Sequence, residues 1–116
     1  MNEFLIKLED RPGSLAECGV ALGDAGINIV AGAGIASASA AAALVTEDSE
    51  GTAAVLDEIG VTYTMRALET TVLQHVPGAL GGFTRGLAEN GIIATAIFNQ
   101  QSIPLFSVMT KTTTIK

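Results

Sequence analysis

Hydrophobic and polar residues alternate at the start of the chain. Phe4, Ile6 and Leu8 are separated by Leu5 and Lys7, so every second position is strongly apolar. A period of two residues is typical of a β-strand with one buried face. The pattern therefore predicts a first strand that ends at the Pro-Gly turn following it.

The spacing of apolar residues changes after that turn. Apolar side chains recur at helical spacing, at Leu15, Cys18 and Leu22. Ser14, with Glu17 three residues later, predicts a capping box at the helix start. Gly26 predicts that the helix ends there, with the glycine in the left-handed backbone conformation. We therefore expect a helix with Cys18 in the core.

The next pattern segments complete a familiar order. Strands are predicted over residues 27–33 and 38–46, a helix over 49–59 and a strand over 61–65. The resulting order, βαββαβ, is the ferredoxin-like split βαβ arrangement, with helices on one face of an antiparallel sheet. The fold class predicted for this part is α+β.

The pattern then repeats 65 positions later. Pro12-Gly13 becomes Pro77-Gly78, Leu22 becomes Leu87, and Gly26 becomes Gly91. The second copy predicts strands over residues 69–75, 92–98 and 103–110, and a helix with an apolar face formed by Leu80, Phe83 and Leu87. Phe83 stands where Cys18 stood, which supports a core position for that cysteine.

The second copy is expected to be incomplete. With the same offset, residues 47–51 correspond to 112–116, which is where the second helix of the copy would begin. The second copy is therefore expected to be βαββ, without the last helix and strand. We predict module 1 over residues 1–66 and truncated module 2 over 67–116. The sheet edge left open would invite pairing, which favours a homodimer or a partner chain.

Composition narrows the function. The net charge is −6 and the basic residues are scattered singly, so the sequence lacks the cationic cluster that nucleic-acid binding needs. Direct nucleic-acid binding is therefore not expected. The first residues form no apolar signal core, and the Ala/Gly-rich run 29–45 is short for a membrane span. Cys18 is the single cysteine, which excludes an internal disulfide and fits a reducing cytoplasm.

Two segments carry a resemblance to a known family. The run Leu-Glu-Asp-Arg-Pro-Gly-Ser-Leu-Ala-Glu over residues 8–17, followed by Asp-Ala-Gly-Ile-Asn-Ile over 24–29, resembles the first half of an ACT domain. Residues 75–96 resemble a weaker copy. The resemblance implies a ferredoxin-like regulatory module of amino-acid metabolism, which binds amino acids, often between paired modules.

The resemblance also implies ligand-binding positions. Matching the motif of serine-sensing ACT domains places two polar contacts on Asp10, where the family usually has Asn, and on Asn28. Their equivalents in the second copy are His75 and Ile93, so the second contact is missing there. The first copy is therefore the better candidate site.

The chemistry of the Pro-Gly turn agrees with this assignment. Backbone amides at a helix start attract a carboxylate, and Asp10 could accept the ammonium of an amino acid. The amides belong to Gly13, Ser14 and Leu15, with Gly78, Ala79 and Leu80 as their second-copy counterparts. Each position has a structural alternative: Asp10 as a turn acid, Ser14 as a cap, and Asn28 as a residue suited to unusual backbone angles.

Three hypotheses of function follow. The first is a non-catalytic regulatory protein that senses a small amino acid, acting as a homodimer and on a metabolic enzyme. The second is a protein–protein interaction module or regulatory subunit without a ligand of its own. The third is a small enzyme with the same fold. Against this hypothesis, the sequence offers no nucleophile paired with a base. No cofactor is expected, and His75 has no partners at metal-ligand spacing.

Overall fold

The computed structural model describes residues 2–36, 39–74, 76–92, 98–101 and 105–115. These ranges contain three helices and six strands. In chain order they are β1 (Asn2–Leu8), α1 (Ser14–Asp24), β2 (Ile29–Ala36), β3 (Ala40–Thr46), α2 (Ser49–Ile59), β4 (Tyr63–Gln74), α3 (Ala79–Glu89), β5 (Phe98–Gln101) and β6 (Leu105–Ile115).

The strands form one six-stranded sheet in the order β2-β3-β1-β4-β6-β5, and every pair is antiparallel. The first four strands with α1 and α2 have the ferredoxin-like βαββαβ arrangement, which confirms the predicted α+β fold class. The outermost strands β2 and β5 also contact each other, so the sheet is strongly curled.

The main core lies between the sheet and the helices α1 and α2. The alternation of β1 is confirmed, because Phe4 and Ile6 are fully buried against Cys18 and Leu22 of α1 and Leu56 of α2. Burial raises the pKa of the Cys18 thiol, with the nearby Glu17 carboxylate as a second cause. The cysteine is therefore a core side chain, as its position in the repeat predicted.

The opposite face of the sheet carries a second, smaller cluster. Val45 and Leu68 are buried there, with Val30, Ala31 and Ala43 packed against them. Glu3 lies on the same face and is fully buried. Its carboxylate is 3.5 Å from Nη1 of Arg66, the residue directly opposite on β4.

β4 joins the two predicted modules without interruption. It runs from Tyr63 to Gln74, through most of the predicted strands 61–65 and 69–75, and it crosses the predicted module boundary at residues 66 and 67. The two predicted modules therefore share one strand, in which Tyr63 to Ala67 pair with β1 and Met65 to Gln74 pair with β6.

The end of the chain differs from the prediction. Residues 112–115, expected to match the start of α2, belong to β6, and Ile115 pairs with Met65. β6 is one residue out of step with the offset of 65, because Leu73 pairs with Phe106 whereas Leu8 pairs with Ala40. The offset of 65 therefore fails between β5 and β6, and β6 pairs with β4 from Met65 to Gln74.

Other boundaries differ by a few residues. The predicted strands 27–33 and 38–46 are observed as Ile29–Ala36 and Ala40–Thr46, while the helix over 49–59 is confirmed as Ser49–Ile59. Of the predicted strand 92–98, residues 93–97 lie outside the described residues. None of the helices in the described ranges has the length and hydrophobicity needed to span a membrane.

The predicted capping box at the start of α1 is wrong. The N-cap is Gly13, in the left-handed conformation, and no side chain caps the helix. The Ser14 hydroxyl instead donates to the Glu9 carbonyl at 2.8 Å, and the Glu17 carboxylate accepts from Arg11. The turn geometry, not the Ser14–Glu17 pair, therefore starts the helix.

Gly13 gives a first testable prediction. Its φ of 92° is a conformation in which a Cβ costs about 1–2 kcal/mol, so Gly13→Ala should lower the free energy of unfolding by that amount. Gly19, in the middle of α1 with open space around it, is the matched control. Gly19→Ala should stabilise by about 0.5–1 kcal/mol, and urea denaturation of both variants measures the difference in sign. Equal effects would contradict the assigned turn.

Candidate functional site

A cavity of about 440 Å³ opens at the end of the sheet where β1 ends. Two connections form its walls: the Pro-Gly turn between β1 and α1, and the short link between α2 and β4. A backbone hydrogen bond from the Lys7 amide to the Thr62 carbonyl, at 2.9 Å, holds the two connections together. The lining residues are Lys7, Leu8, Glu9, Arg11, Ser14, Glu17, Ile59, Gly60, Val61 and Thr62.

The Arg11 guanidinium organises the turn side of the cavity. Its Nε donates to Glu9 at 2.8 Å and its Nη2 donates to Glu17 at 2.9 Å, so one cation joins the turn to the first turn of α1. The hydrogen bonds with Glu17 and then Glu9 raise the pKa of Arg11 further above its usual value. Arg11 therefore stays charged and fixes the shape of the loop.

The charges around the cavity are balanced. Glu9 and Glu17 oppose Arg11 and Lys7, giving two anionic and two cationic side chains in the lining. Among the described residues, Lys7 forms no ion pair and its side chain is exposed. Lys7 is thus the cation that is available to a ligand's anionic group.

Two helix ends of opposite polarity border the same cavity. α1 begins at Ser14, on one wall, and α2 ends at Ile59 with Gly60 as its C-cap, on the other wall. Helix dipoles place about +0.5 of a charge at an amino end and about −0.5 at a carboxyl end. The cavity thus has a positive side and a negative side, a polarity that suits a zwitterion.

The first-copy residues predicted for the ligand lie around this cavity only in part. Ser14 lines it, and Gly13 shapes the turn beside it. Asp10 lies in the same turn and is exposed, but it is not among the lining residues, and neither is Leu15, whose side chain is 46% exposed.

Asn28 lies at the other end of the sheet. Its carbonyl accepts from the Glu47 amide at 3.2 Å, and its Nδ2 donates to the Glu47 carboxylate at 3.3 Å. Glu47 follows β3 at the end where β1 begins, whereas Asp10 follows the end of β1. The seven residues of β1 separate the two sites by roughly 20 Å. Asp10 and Asn28 therefore do not lie around one cavity of the same chain.

The second Pro-Gly turn has the backbone of the first. Gly78 is the N-cap of α3 with a φ of 87°, Ala79 begins the helix, and Leu80 is 42% exposed. His75, the remaining predicted residue, lies outside the described residues. Because β4 is antiparallel to β1, this turn lies at the opposite end of the sheet from the first.

Sequence reasoning missed one whole wall of the cavity. Ile59, Gly60, Val61 and Thr62 come from a connection about fifty residues after the first turn, and no local motif relates the two segments. The available signal was the predicted βαββαβ order, which brings the β1–α1 and α2–β4 connections to the same end of the sheet.

Other titratable groups form no second centre of chemistry in the described ranges. Burial raises the pKa of Tyr63, and its hydrogen bond to Asp57 at 2.9 Å acts in the same direction. This bond ties β4 to α2 and is structural. The described residues contain no group of three or more side chains placed to hold a metal ion.

Comparisons with known proteins identify the fold. The chain matches no protein-family model. No curated protein matches its sequence closely. Among solved structures, protein BT0572 from Bacteroides thetaiotaomicron superposes with a TM-score of 0.82 at 19% identity, over 94% of this chain and 76% of that one.

Two further structures carry functional names of their own. The regulatory subunit of aspartate kinase from Thermus thermophilus gives a TM-score of 0.68 at 18% identity, over 95% of this chain and 81% of that one. The aspartokinase alpha and beta subunits give 0.66 at 20% identity, over 95% and 81%. At these identities the likeness establishes the ferredoxin-like, ACT-like fold, and nothing beyond it.

Proposed function

We propose that this protein is a non-catalytic regulatory module that binds a small amino acid in the cavity between the first Pro-Gly turn and the α2–β4 connection. The observation that carries the proposal is the polarity of this cavity, which joins the amino end of α1 to the carboxyl end of α2. An α-amino acid is the small metabolite whose two opposite charges match that polarity.

The lining residues give each ligand group a partner. The exposed ammonium of Lys7, together with the amides at the start of α1, would hold the carboxylate. The ligand ammonium would lie towards the carboxyl end of α2 and donate to Glu9 or Glu17, which remain tethered by Arg11. The apolar side chains of Leu8, Ile59 and Val61 leave a surface for a small aliphatic side chain. In this proposal Ser14 and Gly13 keep their predicted place at the site.

The structural neighbours support a regulatory role. Two of them are named as regulatory subunits or subunits of aspartate kinase, an enzyme of amino-acid metabolism. By analogy, the chain would transmit ligand binding to a metabolic enzyme. The thermal-shift experiment described next identifies the amino acid.

The first experiment is a thermal-shift panel of the purified protein against each of the twenty amino acids. A ligand at 100 times its dissociation constant adds about 2.7 kcal/mol of stability, which raises the unfolding midpoint by several degrees. We expect one amino acid, or a few related ones, to give this rise. No rise with any of them would overturn the proposal and favour the ligand-free interaction module.

A charge removal in the cavity should weaken that binding. Lys7→Met deletes the cation assigned to the ligand carboxylate, and we expect the dissociation constant to rise about tenfold or more, because hydrogen bonds to charged groups contribute about 1.5–3 kcal/mol. Arg85→Met, an exposed cation on α3, is the matched control and should bind normally. Isothermal titration calorimetry measures both. Equal affinities would place the ligand elsewhere.

Asn28 distinguishes a site in one chain from a site between two chains. Since Asn28 is remote from the cavity, Asn28→Ala should leave the affinity unchanged if one chain forms the site. A loss of binding in Asn28→Ala together with a loss in Asp10→Ala would instead support the family-type site, with the two residues contributed by different chains.

A further inference from the structure

The three helices end in the same backbone motif. A glycine in the left-handed conformation lies one or two residues past the end of each helix, at Gly26, Gly60 and Gly91. In each case the glycine amide donates to the carbonyl three residues earlier, and the next amide donates to the carbonyl five residues before it. This is the Schellman motif, which satisfies carbonyls that a helix end leaves without an intrahelical donor. The three helix ends therefore differ in their side chains and not in their backbone.

The residue directly before that glycine is exposed in all three helices, but its chemistry differs. After α1 this residue is Ala25, and after α3 it is Asn90, so a small and a polar side chain occupy the position. In α2 it is Ile59, which is 40% exposed. The motif does not require an apolar side chain there, since the helix ends with Ala25 and Asn90 form the same hydrogen bonds. The isoleucine therefore has no role in ending the helix.

Packing does not account for Ile59 either. The other two apolar residues of the cavity lining, Leu8 and Val61, pack against the main core. Val61 packs against the cluster that contains Leu56, which is the apolar contact that commonly accompanies this motif. Ile59 belongs to neither of the two apolar clusters formed by the described residues. It is therefore the lining residue whose apolar surface remains available to a ligand.

The position of Ile59 relative to the charges of the cavity matches the build of an amino acid. In the proposed binding mode the ligand carboxylate lies near Lys7 and the start of α1, and the ammonium lies towards the carboxyl end of α2. The side chain of an α-amino acid is attached to the carbon that carries the ammonium. Ile59 is the last residue of α2 and lines the cavity on that side. A bound amino acid would therefore direct its side chain to the wall that Ile59 forms.

We propose that Ile59 determines the ligand specificity of this cavity, and that the ligand class is the α-amino acids with an aliphatic side chain. This inference rests on the proposed function, because it requires an amino acid to occupy the cavity. Contact between the ligand side chain and Ile59 removes apolar surface of both from water, which favours binding. A charged side chain would lose its hydration beside Ile59 without gaining a partner, because the charged residues of the lining hold each other or the ligand's own two charges.

A series of unbranched amino acids measures this contact. Glycine, alanine, α-aminobutyrate and norvaline differ by one carbon atom at each step, and glycine reports on the polar contacts alone. A fully buried methylene group contributes roughly fourfold in affinity. Since the cavity is open on one side, we expect norvaline to bind about tenfold more tightly than glycine over the three steps. Aspartate and lysine should bind no more tightly than glycine. Isothermal titration calorimetry measures each dissociation constant.

Ile59→Thr tests the residue itself. Threonine keeps the branch at Cβ and replaces apolar surface with a hydroxyl, so the ratio of the glycine to the norvaline dissociation constant should fall to about threefold or less. Ile92→Thr is the matched control, because Ile92 is 39% exposed at the end of α3 and is not among the lining residues. The ratio should stay at about tenfold in this control. Circular dichroism of each variant confirms folding.

The outcomes distinguish this inference from the function on which it rests. If none of the amino acids binds the wild-type chain, both are overturned. If amino acids bind but the ratio is the same in the wild type and in Ile59→Thr, the role of Ile59 is overturned and the amino-acid site remains. An equal fall of the ratio in Ile92→Thr, or tightest binding of a charged amino acid, would overturn the specificity assignment in the same way.

Discussion

Leu22→Ala should lower the free energy of unfolding by about 2–5 kcal/mol. Leu22 is fully buried between α1 and the sheet, where it packs in one cluster with Phe4, Ile6, Cys18, Leu44 and Leu56. Truncation removes the transfer free energy of three buried carbon atoms. It also leaves a cavity between α1 and the sheet, which the strands on one side of it cannot close. Since a domain of this size is stable by about 5–15 kcal/mol, the loss is a large part of the total.

Leu15→Ala is the matched control, because it makes the same change on the same helix at a side chain that is 46% exposed. We expect a loss well below about 1.5 kcal/mol there. Urea denaturation measures both variants, with unchanged slopes showing that the unfolded states are comparable. Similar losses for the two leucines would contradict the placement of the core between α1 and the sheet.

The sequence was sufficient for most of the first copy. The helix over residues 49–59 was predicted correctly from the spacing of its apolar residues. The structure adds local signals at both ends: the Asp48 side chain accepts from the Gly51 amide at 2.9 Å, and Gly60 adopts a φ of 78°. Gly26 and Gly91 likewise take the left-handed conformation predicted for helix stops. These signals lie within a few residues of the boundary that they determine.

The failures arise where a distant segment decides. Ser14 and Glu17 have the spacing of a capping box, but Glu17 is held by Arg11 and Ser14 by the Glu9 carbonyl. β6 extends to Ile115 because the long strand β4 offers it partners from Gln74 back to Met65, with one register shift between Ala67 and Leu68. The offset of 65 could not reveal this pairing. The sequence repeat predicts which helices and strands form, whereas the strand with which an element pairs determines where that element ends.

Only one of the two walls of the candidate site was predicted, because the other wall comes from a segment that is distant in sequence. The motif located the Pro-Gly turn, which is one wall of the cavity, since turn residues are adjacent in sequence. The opposite wall, from Ile59 to Thr62, becomes part of the site only after the sheet has formed. The prediction that Asp10 and Asn28 lie around one cleft depended on the distance between them, which the sequence does not give. In the structure, the extended strand β1 lies between them.

The buried pair of Glu3 and Arg66 gives the second large prediction. Arg66→Met should destabilise the protein by about 2–4 kcal/mol, because it removes the cation 3.5 Å from a carboxylate that is fully buried. The Arg66 side chain is itself 21% exposed, so the loss should be somewhat smaller than that of a pair excluded from water on both sides.

The repeat supplies a replacement for the buried carboxylate. At the offset of 65, Glu3 corresponds to Leu68, which is buried in the apolar cluster on the same face of the sheet. Glu3→Leu combined with Arg66→Met should therefore recover at least about 1 kcal/mol relative to Arg66→Met alone, since the double variant contains neither the buried carboxylate nor the arginine that forms an ion pair with it. A double-mutant cycle by urea denaturation measures this coupling. If the two effects simply add, Arg66 contributes to stability through packing, and the electrostatic account of this pair is wrong.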